Sequence, residues 1–152
     1  GFTLVELVMV IILIGVLSAL GVGLFAGRSA FSPLLATQQL SSATLLAQQA
    51  ALAGNSANSM TVLQTADDLI FSAASFQFTL PRAGSTLEYR VAGDPSYTTV
   101  SGSAPLVVGF DGLGRVAAPA ARTNIDFQIT GESTFNLCLS SLGAVFDGAC
   151  PP

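Results

Sequence analysis

Lysine, histidine and tryptophan are absent from the 152 residues, and arginine occurs five times. Without histidine the chain lacks the commonest general base and transition-metal ligand, and without lysine it has no amine for Schiff-base chemistry. Five basic residues against nine acids leave a net charge of −4. After Arg82 only Arg90, Arg115 and Arg122 remain, so most of the surface repels a polyanion and nucleic acid is not an expected partner. Serine is plentiful, yet no Gly-x-Ser-x-Gly elbow occurs, Gly112-Leu113-Gly114 lacks the third glycine of a dinucleotide loop, and there is no Gly-Lys-Ser/Thr phosphate loop. The chain is therefore read as a non-enzyme with no cofactor and no metal. Two acidic sites bear on that reading. Asp67-Asp68 precedes an apolar run and reads as a cap or solvated pair ahead of a calcium or acid–base pair. Asp147 is the one acid of the C-terminal loop, too few for calcium, which takes six to eight oxygens, usually with several carboxylates.

What is present is concentrated at the start. Phe2 to Ala26 holds one ionisable side chain, Glu6, among 25 residues. As a helix this run is about 37 Å long, enough to cross a hydrocarbon core of about 30 Å with some tilt. A secretory signal peptide would begin with basic residues and have a shorter apolar centre. A plain anchor leaves Glu6 unexplained, because a carboxylate within a span costs roughly 2.5–3.5 kcal/mol and by default marks a function and a partner. Gly15, Ala19, Gly23 and Gly27 recur every fourth position and so form one narrow face of small side chains, suited to close helix packing. Gly27, Arg28 and Ser29 are the first polar cluster, with Arg28 placed as an interfacial anchor.

The heptad Gly1-Phe2-Thr3-Leu4-Val5-Glu6-Leu7, followed by the apolar run, resembles the processing site and first helix of the type IV pilin superfamily, which includes the pseudopilins of type II secretion. The resemblance implies cleavage by a prepilin peptidase between Gly1 and Phe2 and N-methylation of Phe2; the sequence leaves open whether Gly1 persists. It also implies that Glu6, buried in a bundle of such helices, pairs with the Phe2 amine of a neighbouring subunit. The physics agrees, since only a cation offsets the desolvation of a carboxylate there. Residence in the inner membrane with the head in the periplasm, then in a periplasmic or surface filament, follows from the same likeness.

Downstream, Ser32-Pro33 predicts a kink or short break. Leu34 to Ala53 has good helix formers with Gly54-Asn55 as a stop, and Leu35, Leu45, Leu46 and Leu52 are the expected apolar stripe, diluted by Ser41, Ser42 and Thr44. Residues 55–66 read as a connector with an extended piece at Met60–Leu63. From there the periodicity is two, with strands expected at Phe76–Leu80, Thr86–Val91, Leu106–Phe110, Ile125–Ile129 and Thr134–Leu139. Downstream of an anchor whose far side faces an oxidising compartment, Cys138 and Cys150 read as a disulfide, the alternative being two free buried thiols.

The expected class is α+β, a long N-terminal helix packed on an antiparallel β-sheet head, the pilin fold. Residues 1–27 are the transmembrane and polymerisation helix, 28–54 the helix half that packs on the head, and 55–152 a β-rich head with a C-terminal disulfide loop. A second, narrower likeness joins the helix end Ala47 to Asn55 and the stretch Phe110-Asp111-Gly112-Leu113-Gly114-Arg115-Val116, which together are similar to minor pseudopilins of the H type and to mannose-sensitive haemagglutinin type minor pilins. The functional expectation is a structural subunit of a type IV pilus-like filament, whose partners are copies of itself or other pilins. The alternative is a low-copy minor pilin or pseudopilin that primes or caps the fibre. A membrane-tethered periplasmic binding or enzymatic domain is the rival from another class, and it needs a cluster of ligand groups that the sequence does not display.

Overall fold

The computed structural model describes residues 1, 3–26 and 28–151, with the side chains of 22–32 left aside. The chain is α+β. Helix α1 spans Leu4–Ala26 and α2 spans Arg28–Leu52. Ten strands follow: β1 Ser59–Gln64, β2 Asp68–Ala73, β3 Phe76–Pro81, β4 Thr86–Val91, β5 Thr98–Thr99, β6 Leu106–Phe110, β7 Val116–Ala118, β8 Ile125–Thr130, β9 Thr134–Leu139 and β10 Val145–Asp147.

Where one antiparallel sheet was expected, the strands form two, ordered β3-β2-β1-β6-β7 and β10-β9-β8-β4-β5. The chain leaves the first sheet after β3, returns for β6 and β7, and closes the second with β8 to β10. Pro81, which has no N–H for a further ladder bond, and Ala83, at φ 46°, mark the first departure. A turn signal reads the same whether the next strand pairs with the last or changes sheet, and for that reason the sequence pattern did not separate the two.

Alternation decides which residues face inward. Met60 and Val62 on β1, Leu69 and Phe71 on β2 and Val108 and Phe110 on β6 face Leu87, Ile125, Phe127, Ile129, Leu137 and Leu139 of the second sheet in one buried cluster. Gln64 is buried with them and its Oε1 accepts the Leu87 N–H at 2.7 Å, tying β1 to β4 across the sheets.

Helix α2 packs on both sheets, touching β1, β2, β3 and β6 of one and β8 and β9 of the other. Its buried stripe is Ala36, Thr37, Leu40, Ala43, Thr44, Ala47 and Ala51, spaced three and four apart as a helix face requires. The expected leucine stripe is corrected by this: Leu35, Leu45 and Leu52 are 43%, 46% and 59% exposed, and only Leu46 leans on the core. The sheets supply the bulk, so the helix approaches on its small residues. The hydroxyls of that face return to the helix itself, Thr37 Oγ1 donating to Pro33 O and Thr44 Oγ1 to Leu40 O at 2.9 and 2.8 Å, which lets them be buried without loss.

The break expected at Ser32-Pro33 is also corrected, since α2 runs through Pro33. A proline within a helix costs about 3 kcal/mol. Its buried ring packs on the turn between β8 and β9, where a Cβ on Gly131 would lie 2.9 Å from Pro33 Cγ, and that burial offsets part of the cost. The helix ends as expected, with Gly54 N and Asn55 N donating to Ala51 O and Ala50 O.

Candidate functional site

Helix α1 is apolar from Leu4 to Gly21 apart from Glu6 and Ser18, and among the described residues nothing in its own chain covers that stretch. Thirteen large apolar side chains from Leu4 to Leu20 are 44–79% exposed. Complete burial of such side chains stabilises by about 1.5–3 kcal/mol each, on the order of 20–40 kcal/mol along the helix. Leu4–Gly21 is the one helix among the described residues long and apolar enough to cross a membrane, a property shared by a single-pass anchor and a signal sequence. The backbone is continuous helix from Gly15 through Gly23. Gly15 and Ala19 stand exposed one turn apart, and a Cβ built on Gly15 meets nothing within 4 Å. Gly23 is helical, its surroundings fall outside the described residues, and Phe2 and Gly27 lie outside them altogether.

Glu6 has a local partner that the sequence reading did not anticipate. Its Oε2 accepts both the backbone N–H and the hydroxyl of Thr3 at 2.9 Å, while Glu6 N–H donates to Thr3 Oγ1 at 3.3 Å. This is a reciprocal capping box at the start of α1, and the Thr-x-x-Glu spacing was its signal in the sequence. A cap of this kind contributes about 1 kcal/mol, less than the cost of a carboxylate within a span. The cap orients Glu6 and does not by itself account for the charge.

At the other end of the chain, β9 and β10 form a hairpin through Gly143, and Cys138 and Cys150 lie at disulfide distance, with S–S 2.07 Å and Cα–Cα 4.8 Å. The two sulfurs and a carboxylate oxygen of Asp126 lie within 4.8 Å of one another. With both sulfurs in one bond, neither is a thiolate, so the group is no ligand set for a metal. Asp126 is buried and pairs with Arg90 at 2.9 Å, and the Arg90 guanidinium lies 4.8 Å from the Tyr97 ring centroid. Neither residue was singled out from sequence, where Asp126 reads as one of the alternating outward positions of β8.

Gln48 was also missed. Gln48 Nε2 donates to Gly114 O at 2.9 Å, and Gly143 sits against both groups. Val116 N donates to Ser141 O beside them, so the turns of the two sheets meet on α2. Asp111 holds the β6–β7 turn, accepting from Leu113 N, Arg115 N and Arg115 Nε at 2.9, 3.0 and 2.9 Å. The Arg115 backbone N–H, then its side chain, keep the Asp111 carboxyl below the usual carboxylate range.

The other acids conspicuous in the sequence lie at or beside strand ends. Asp68 N donates to Thr65 Oγ1 across the β1–β2 turn, and Asp67 O accepts from Arg82 N just beyond β3. Asp147 is exposed at the end of β10. It lines an open cleft of about 410 Å³ between α2 and β9, together with Leu34, Thr37, Gln38, Ser41 and Phe135, and among the described residues no second carboxylate joins it there.

Comparison with known proteins returns no match: no family model, no curated protein and no solved structure matches the chain.

Proposed function

We propose that the chain is a structural subunit of a type IV pilus-like filament, anchored in a membrane by α1 and then polymerised through it. The observation that carries this reading is a helix of 23 residues, uncovered by the described residues of its own chain from Leu4 to Gly21, with a carboxylate in its first turn and a folded head attached. A membrane satisfies the apolar surface and leaves Glu6 costly. A bundle of α1 helices satisfies both, because the Phe2 amine of a neighbour answers the charge and Gly15 and Ala19 allow close approach. Among the described residues, no cluster of catalytic or ligand groups lies in the head.

The reading as a low-copy minor pilin or pseudopilin has its own support. Its two stretches, the end of α2 and the turn at 110–116, touch through Gln48 and Gly114 in the fold.

The test is Glu6→Ala in a strain with no wild-type copy. Membrane insertion stays intact or improves, whereas incorporation into fibres falls by more than about tenfold, since breaking a buried pair costs about 3–5 kcal/mol and each 1.4 kcal/mol is tenfold. For a minor subunit the quantity counted is copies per fibre. Normal incorporation of the variant sinks the charge-pairing role.

A further inference from the structure

Arg90 on β4, Asp126 on β8, Cys138 on β9 and Phe146 on β10 are successive cross-strand neighbours and so form one row on a single face of the second sheet. It is the face turned from the core, because Ile125 and Phe127 on either side of Asp126 point inward. Asp126 is nevertheless 5% exposed and Cys138 1%. What accompanies them there is the C-terminal segment: Cys150 Sγ is bonded to Cys138, and Cys150 N–H donates to Asp126 Oδ1 at 2.5 Å. The other carboxylate oxygen, Oδ2, takes Arg90 Nη2 at 2.9 Å. One buried carboxylate therefore sits directly across from Cys138 and holds the backbone of Cys150.

We propose that Asp126 is the positioning residue for closure of the Cys138–Cys150 disulfide. By accepting the Cys150 N–H it keeps the reduced C-terminal segment over β9, so that the two thiols face each other and their effective concentration is high. This assignment stands independently of the filament reading.

Closure draws on an external disulfide as oxidant. The thiolate of Cys150, the less buried of the two, attacks one sulfur of that disulfide, forming a mixed disulfide and expelling one thiolate. The Cys138 thiolate then attacks Cys150 Sγ, the protein disulfide forms, and the second thiolate leaves. Two protein thiols are oxidised, one external disulfide is reduced, and the two thiol protons end on the expelled thiols. Asp126 acts on the second attack by holding Cys150 within reach.

The experiment equilibrates the full chain, in detergent micelles, with mixtures of reduced and oxidised glutathione, and reads the open and closed forms by thiol trapping and mass. Asp126→Ala is expected to lower the effective concentration by about tenfold or more, the loss of one charge-assisted hydrogen bond. Asp126→Asn keeps an oxygen for the Cys150 N–H and is expected within about threefold of wild type, a rescue that general loosening of the sheet does not produce. Wild-type closure in Asp126→Ala, or equal impairment of the two variants, overturns the assignment. A second measurement does not depend on changing Asp126. With Cys138→Ser and Cys150→Ser together, the amide at position 150 remains protected from hydrogen exchange, and a fully exchanging amide there overturns the proposal.

Discussion

Gly143→Ala replaces a single hydrogen atom with a methyl group at a solvent-poor junction and is expected to be among the most damaging changes in the head. Gly143 has φ +88°, and a Cβ built there would fall 2.2 Å from Gln48 Nε2 and 2.2 Å from Gly114 O. Those two atoms are the partners of the 2.9 Å hydrogen bond that joins α2 to the β6–β7 turn. Left-handed backbone costs an alanine about 1–2 kcal/mol. Forcing the Gln48 amide and the Gly114 carbonyl apart adds about 1–3 kcal/mol for polar groups stranded without a partner. The total, about 2–5 kcal/mol, is a substantial part of the 5–15 kcal/mol typical of a domain. At roughly 2–8 °C for each kcal/mol, the melting temperature of the detergent-solubilised chain, followed by circular dichroism, falls by at least about 4 °C. The control is Gly148→Ala, where φ is +98° and nothing lies within 4 Å of the added Cβ, so only the backbone cost remains. Equal losses for the two variants would show that the contact with Gln48 and Gly114 contributes nothing.

Ala43 is fully buried on α2 and Leu45 is 46% exposed, so Ala43→Leu costs about 1–3 kcal/mol by overpacking whereas Leu45→Ser stays within about 0.5 kcal/mol, read by denaturant unfolding. Because the Asp111 carboxyl is held below its ordinary value, its contribution is present above the unfolded pKa of about 3.9 and is lost as pH falls through the lower folded value. Asp111→Asn therefore flattens the fall in melting temperature at acid pH, and an unchanged acid profile contradicts the assignment. Opening the 12-residue separation between Cys138 and Cys150 with Cys138→Ser and Cys150→Ser costs on the order of 3 kcal/mol in the chain-entropy model, measured as a lower urea midpoint.

The parts of this fold that were legible in the sequence are those with a local signal. The length of α1, the stop at Gly54-Asn55 and the strands β3, β4, β6, β8 and β9 follow from runs and alternation over five or more residues. The strands β5, β7 and β10 have two or three residues, too few for a period to show. β2 was hidden because Asp67-Asp68 reads as a solvated pair, and its hairpin with β1 is visible only once Phe71 and Leu69 are seen facing the core. The α2 stripe was misassigned for a physical reason: leucine has the greater intrinsic drive to bury, yet two sheets carrying Phe71, Phe110 and Phe127 leave room only for Ala36, Ala43 and Ala47. At the candidate site, Glu6 was legible because a lone charge in an apolar run is conspicuous. Asp126 was not, because its burial comes from a segment 24 residues further along the chain.

The central claim is that α1 serves first as a membrane span and then as the core of a filament. The most direct measurement is hydrogen exchange on filaments sheared from the cell surface, with this chain's peptides followed by mass spectrometry. The account predicts that the chain is present in those filaments and that Leu4–Gly21 is protected there after the membrane has been removed. The absence of the chain from every filament fraction, with all copies recovered as membrane-embedded monomers, would contradict it.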